Sequence, residues 1–262
     1  MYRPLHHVVF AWFVLLLSSF AHSHEDTSEL QEVIVTGRSQ VLVGESRSAS
    51  EGIVGQVDLA IRPMLRPGDI LEATPGLIVT QHSGSGKSNQ MFLRGFNLDH
   101  GTDFATWVDD MPVNMRTHGH GQGYTDINFL IPEAVDQLSF VKGPYHAELG
   151  DFSSAGGVHI TTQERLANNQ IKLGVGKNGF ARLLTMAGTE IADNYLWGAL
   201  ETQTYDGPWT DIAEDVKKVN GLIKLSGGQD EQSWSATAMY YDNQWNSADQ
   251  IPARAVSQGL IN

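Results

Sequence analysis

The 262-residue chain carries 17 lysines and arginines against 30 aspartates and glutamates, a formal charge of −13, and no cysteine. That balance excludes the basic face a nucleic-acid partner needs, and the missing thiols exclude disulfides, thiolate metal sites and a cysteine nucleophile. With 41% hydrophobic and 18% charged residues, the chain is neither disordered nor a bundle of membrane helices.

Residues 1–23 read as a secretory signal. Arg3 supplies the positive start, Val8 to Leu17 the apolar core, and Ala21-His22-Ser23 a small-x-small cleavage site. An apolar run of about ten residues is half of the ~20 that a spanning helix needs, so removal is expected rather than anchoring. Residues 24–50 form a polar, flexible tail with one apolar island, Val33-Ile34-Val35. A compact mixed region follows over 51–165. Pro67 opens a short helix through Ile70 and Leu71, which Pro75-Gly76 stops. Leu77 to Thr80, Met91 to Arg94, Thr106 to Asp109 and Gln137 to Val141 are expected strands, and Pro132 to Val135 a single helical turn.

From residue 168 to 262 the texture changes. Ile171, Leu173 and Val175 alternate with Gln170, Lys172 and Gly174, and Val219, Ile223 and Leu225 with Asn220, Lys224 and Ser226. Phe180 to Glu190, Asn194 to Tyr205 and Gln232 to Asn243 are further extended candidates. Asn178-Gly179 is a tight-hairpin signal between the first pair. Strands of ~10 residues with one apolar face suit a membrane barrel, and a soluble antiparallel sheet shares the same alternation.

Ordered motifs separate these two. Leu93-Arg94-Gly95-Phe96, Trp107-Val108-Asp109-Asp110-Met111-Pro112-Val113, Val135 to Pro144 with Lys142-Gly143 inside it, and Ala155-Gly156-Gly157-Val158-His159-Ile160 follow one another in sequence. In order and spacing they resemble the plug of TonB-dependent outer-membrane receptors. The resemblance implies an α+β plug domain, a small mixed sheet with short helices, followed by antiparallel strands of an incomplete transmembrane β-barrel. It implies structural roles in the plug for Arg94, Gly95, Asp109, Lys142, Gly143, Gly156 and Gly157. Arg94 and Lys142 are expected to pair with carboxylates of the barrel lumen. Asp110 stands where glycine is usual in the turn.

Glu32-Val33-Ile34-Val35-Thr36-Gly37 resembles the TonB box of these receptors, which adds as a strand to the C-terminal domain of TonB in the periplasm. The other implied partners are outer-membrane lipid and lipopolysaccharide, and a small-molecule or metal-chelate cargo. The implied function is active uptake of a scarce nutrient across the outer membrane of a Gram-negative bacterium. A barrel of this family has about 22 strands, and about five are expected here, so these residues represent an N-terminal fragment of such a receptor. The competing reading is a periplasmic or outer-membrane metal-binding module without transport.

His118-Gly119-His120 and His100, with Asp99 and Asp103 nearby, suit Zn²⁺, Ni²⁺ or Cu²⁺ ligation through imidazole nitrogens. No resident cofactor is expected, and a metal ion or metal chelate enters only as cargo. An enzyme is not expected, because no nucleophile–base pair stands out. Gly84-Ser85-Gly86-Lys87-Ser88 ends like a phosphate-binding loop, but position 81, where the first glycine belongs, is Gln81.

Overall fold

The computed structural model describes residues 44–81, 83–209, 212–228, 232–248 and 251–261. The expected signal and the expected TonB box lie outside the described residues. All the described residues belong to one compact unit, residues 37–262.

A six-stranded sheet organises residues 45–162. Its strands are β1 (Glu45–Ser46), β2 (Glu51–Gly55), β6 (Phe104–Val108), β7 (Met111–Pro112), β8 (Val135–Val141) and β9 (Gly156–Thr162), in the order β1-β2-β8-β9-β6-β7. Only β6 and β9 pair in parallel; the other neighbours are antiparallel. Strand β1 lies within the stretch expected as tail, where Glu45 and Ser46 pair with Ile53 and Gly52. A second sheet, β3 (Leu77–Thr80), β4 (Gln90–Leu93) and β5 (Phe96–Asn97), packs alongside.

Short helical pieces join them: α1 (Gln56–Ala60) and 3-10 turns at Pro67–Ala73, Pro132–Ala134 and Ala147–Leu149. The first of these is a 3-10 segment rather than an α-helix. Pro67 starts it, Asp69 accepts from the Leu65 and Arg66 N–H groups, and Gly76 at φ 85° reverses the chain after it. Its buried Ile70, Leu71 and Ala73 join Leu93, Phe104, Leu138 and Ile160 in one dry core.

Strands β2 and β9 were not among the expected strands. Gly52, Gly55, Gly156 and Gly157 lower their strand propensity, yet both are interior strands of the sheet. The glycines serve close approach: a Cβ on Gly156 would stand 2.0 Å from the Val141 carbonyl oxygen.

The remaining strands form one antiparallel wall in sequence order: β10 (Gln170–Val175), β11 (Ala181–Ile191), β12 (Asn194–Tyr205), β13 (Val216–Gly227) and β14 (Trp234–Gln244). Among the described residues the wall is open, with β10 and β14 as its edges. A short helix, α2 (Ala253–Ser257), follows. Asn178 and Gly179 both take positive φ in the β10–β11 connection, as the hairpin signal required.

The wall's two faces have inverted polarity. Ile171, Leu173, Val175, Leu183 and Ile223 point away from the plug and are exposed. Glu201, Lys218, Asn220 and Lys224 point toward it and are buried. Burying an aliphatic side chain of this size in water-driven folding contributes roughly 1.5–3 kcal/mol. A soluble sheet would place those chains in the core and leave lysines outside. This arrangement is that of a membrane barrel, apolar outward and polar inward. No helix among the described residues is long and apolar enough to cross a membrane.

Candidate functional site

The plug meets the wall through charges held in low dielectric. Glu133, in the turn before β8, accepts from both terminal guanidinium nitrogens of Arg182 of β11 at 2.7 and 2.8 Å. Arg182 also donates to Glu201 of β12 at 2.5 Å, and Lys218 of β13 reaches the other Glu201 oxygen at 2.9 Å. Asn220 donates to the Phe129 carbonyl at 2.6 Å. Burial works to raise the Glu133 carboxyl, but the Arg182 guanidinium and then Lys172 outweigh it and hold the group at about 2. Each charge here has a partner, which is the condition for carrying it inside.

A second contact uses the β6–β7 turn. Asp109 and Asp110 both take positive φ, 45° and 65°, so the two-residue hairpin has the backbone signs of a type I′ turn without any glycine. That turn aims the Asp109 carboxylate at the Thr162 N–H, at the Thr162 hydroxyl and at Lys224 Nζ of β13, 3.3 Å away. Trp197 of β12 adds an indole N–H to the Gln163 carbonyl at 3.0 Å.

The expected pairing of Arg94 and Lys142 with lumen carboxylates is corrected by the structure. Arg94, at φ 50° beside Gly95 in the β4–β5 turn, donates to the Lys142 carbonyl at 2.7 Å and to Ser50 Oγ at 3.1 Å. Lys142, followed by Gly143 at φ 137°, donates to the Pro75 carbonyl at 3.1 Å and lies over the Phe140 ring. Among the described residues neither has a carboxylate partner. Both side chains tie the two plug sheets together, Arg94 from an exposed position, and across the described gap the plug supplies Glu133 and Asp109 while the wall supplies Arg182 and Lys224. The signal that locates the wall residues was present in β13, where Lys218, Asn220 and Lys224 fall at even spacing opposite Val219 and Ile223.

The glycine-rich segment near residue 85 is another contact. Ser85 donates through N–H and hydroxyl to Glu214 Oε2 at 3.0 and 2.6 Å, and a Cβ on Gly86 would enter the Trp245 ring. Its composition reflects close approach to the wall, not phosphate.

The histidines divide. His100 is buried, with Nδ1 3.2 Å from the Asn89 carbonyl oxygen and Nε2 3.7 Å from Asp99 Oδ1. The His120 ring stands edge-on to it at 4.5 Å between centroids. One ligand atom each from Asp99, His100 and His120 falls within 4.8 Å of the others. His118 is not in this group; it stacks on Tyr124 at 4.0 Å, and its Nδ1 accepts from the His120 N–H. Burial raises the Tyr124 phenol and the Asp126 carboxyl beneath the loop above their usual ranges.

Residues 45–158 match the family model of the TonB-dependent Receptor Plug Domain. A vitamin B12 transporter of Vibrio vulnificus is 25% identical over 182 residues, covering 68% of this chain and 28% of the relative. The pyoverdine outer membrane receptor of Pseudomonas aeruginosa superposes with a TM-score of 0.58 at 18% identity, over 73% of this chain and 27% of that one. The siderophore receptor of Acinetobacter baumannii gives 0.54 at 19% identity, over 80% and 34%. At these identities the solved structures speak to the fold, and the chain spans 28% of the curated relative's length. These relatives are receptors and transporters, not enzymes. Residues 45–158 thus match a TonB-dependent receptor plug domain, and the described chain as a whole is similar in fold to receptors of that kind.

Proposed function

We propose that this chain serves in a TonB-dependent transporter of the Gram-negative outer membrane, taking up a scarce metal, metal chelate or similar nutrient. The observation that carries the reading is the paired charge layer between plug and wall. A plug held by buried ion pairs and hydrogen bonds interleaved with apolar contacts exposes less apolar surface on leaving the lumen than one held by an apolar core alone. The related vitamin B12 transporter supports the same class of activity.

In this reading cargo binds from outside against plug loops and the barrel's outer connections. The box at Glu32 to Gly37, exported with a cleaved signal, then adds as a strand to TonB, and force drawn from the proton gradient displaces the plug. Main-chain pairing supplies that affinity, about 0.5–1.5 kcal/mol net per hydrogen bond, which suits a contact that must also release. Proline lacks the donor such a strand needs. Val33→Pro or Ile34→Pro in the complete receptor is therefore expected to abolish energised uptake while cargo binding to cells persists. Uptake equal to that of the unaltered receptor would refute the coupling. Growth of a deletion strain under iron, zinc, nickel and cobalamin limitation identifies the cargo, and outer-membrane fractionation separates this reading from a non-transporting module.

A further inference from the structure

The wall connections distinguish its two ends. Ten positions separate β12 from β13 at one end of the wall, and two, residues 192–193, separate β11 from β12 at the other. Membrane barrels carry long loops outside the cell and short turns in the periplasm. Ser85 binds Glu214 of the long connection, whereas Ser226, beside the β13–β14 turn, donates to the Glu164 carbonyl at 3.2 Å. The segment of Ser88 and Asn89, which holds Tyr124 and His100, continues from Ser85. The histidine cluster therefore sits toward the long-loop end.

The loop carrying His120 is rich in glycine, yet its base is fastened. The Met115 N–H donates to the Tyr124 carbonyl at 2.9 Å, and the Gly123 N–H to the Met115 carbonyl at 2.7 Å. The Asn114 amide donates to the carbonyls of Gly101, Phe104 and Gly123 at 3.0 to 3.1 Å, and the Thr125 N–H donates to the His100 carbonyl at 2.7 Å. These bonds seat the loop over His100. The Asn89 carbonyl can only accept, so it places the His100 hydrogen on Nδ1 and the ring lone pair on Nε2. A backbone carbonyl behind a histidine is the usual device for orienting a metal-binding imidazole.

We infer that Asp99, His100 and His120 form a binding site for a borderline divalent transition-metal ion, with His100 as the fixed ligand and open positions for water or a chelator. Tetrahedral ligands about 2.1 Å from zinc lie about 3.4 Å apart. The Asp99–His100 separation of 3.7 Å is near that value already. The remaining closure, about 1 Å or more, falls to the half-exposed Asp99 and the exposed His120, whose side chains have room to move. Two imidazoles and one carboxylate suit zinc, nickel or copper over calcium or magnesium. His118 lies outside this group, and its Nδ1 lone pair is taken by the His120 N–H at 3.2 Å.

This deepens the transport reading and rests on it only for the purpose of the ion, because binding in vitro and energised uptake fail separately. The test is Zn²⁺ titration of the complete receptor, purified from outer membranes in detergent and stripped with chelator. Unaltered protein is expected to hold one equivalent at this site, and Co²⁺ in its place to show the visible absorption of a nitrogen–oxygen site. His120→Ala and Asp99→Asn are expected to weaken that binding by about tenfold or more, as loss of a ligand does, with His118→Ala near the parent affinity. Neither altered ligand is buried, so heat-modifiable mobility should be unchanged and certifies folding. Parent-like binding by both ligand variants overturns the site. So does a loss in His118→Ala as large as in His120→Ala, or no Zn²⁺ uptake by the unaltered protein.

Discussion

The plug, residues 45–162, packs Ile70, Leu93, Phe104, Leu138 and Ile160 into a dry interior, while the wall, residues 170–244, turns Ile171, Leu173, Val175 and Ile223 outward and buries Glu201, Lys218 and Lys224. Both regions are sheets with similar side-chain periodicity. They differ in what lies beyond each face. The plug has one apolar inside, whereas the wall has an apolar outside suited to lipid and an inside that must match a removable partner. Where these regions touch, apolar packing through Ile131, Leu184, Met186, Trp197 and Leu222 is interleaved with ion pairs, and that mixture separates a plug from a permanent core.

Cutting the central ion pair should break the comparison most strongly. Arg182→Leu leaves Glu133 and Glu201 facing each other in a buried gap, and removing one partner of such a pair typically costs about 3–5 kcal/mol. Hydrogen exchange should rise over residues 127–135 while the wall strands stay protected. Glu133→Gln added to Arg182→Leu should recover part of the loss. Unchanged protection in the single variant would mean that the charge layer does not hold the plug.

Ile223→Arg tests the other face. At mid-membrane on a barrel exterior this change costs about 2–4 kcal/mol. On a water-facing sheet it would stay within about 0.5 kcal/mol. Urea unfolding of the complete barrel in lipid vesicles distinguishes the two, and the smaller value would reclassify the outer face as solvated.

A smaller effect, on the order of 2–3 kcal/mol, is expected from acid. Glu133 sits at about 2 in the folded protein, below its ordinary value of 4.5. A depressed carboxylate stabilises the folded state fully above its ordinary value, and the contribution fades as pH falls from about 4.5 toward 2. The difference in plug protection between the parent and Glu133→Gln should therefore shrink across that window. A constant difference would show that the carboxylate charge is not what Arg182 holds.

Much of the scaffold was legible locally. Pro67 and Gly76 bracket the first helical segment, the Leu77–Thr80 strand occurs where its apolar run lies, and Asn178-Gly179 marks the hairpin. Strands β2 and β9 were obscured by glycines that exist for close approach, a requirement visible only once Val141 stands opposite Gly156. Of the metal candidates, His100 and His120 converge with Asp99, while His118 turns to Tyr124. A His-x-His spacing in coil says nothing about which ring a neighbouring aromatic will claim.

The sequence by itself determined the alternation of Asn220 and Lys224 with Val219 and Ile223, the Asn178-Gly179 turn and the plug motifs, because each depends on residues a few positions apart. Only the tertiary structure decided that plug carboxylates meet wall cations rather than the reverse, and that Arg94 and Lys142 bind plug carbonyls. Those pairings join residues far apart in the chain, 49 positions for Glu133 and Arg182 and 115 for Asp109 and Lys224. Charge complementarity over such separations is set by how surfaces dock, and local spacing carries no record of it.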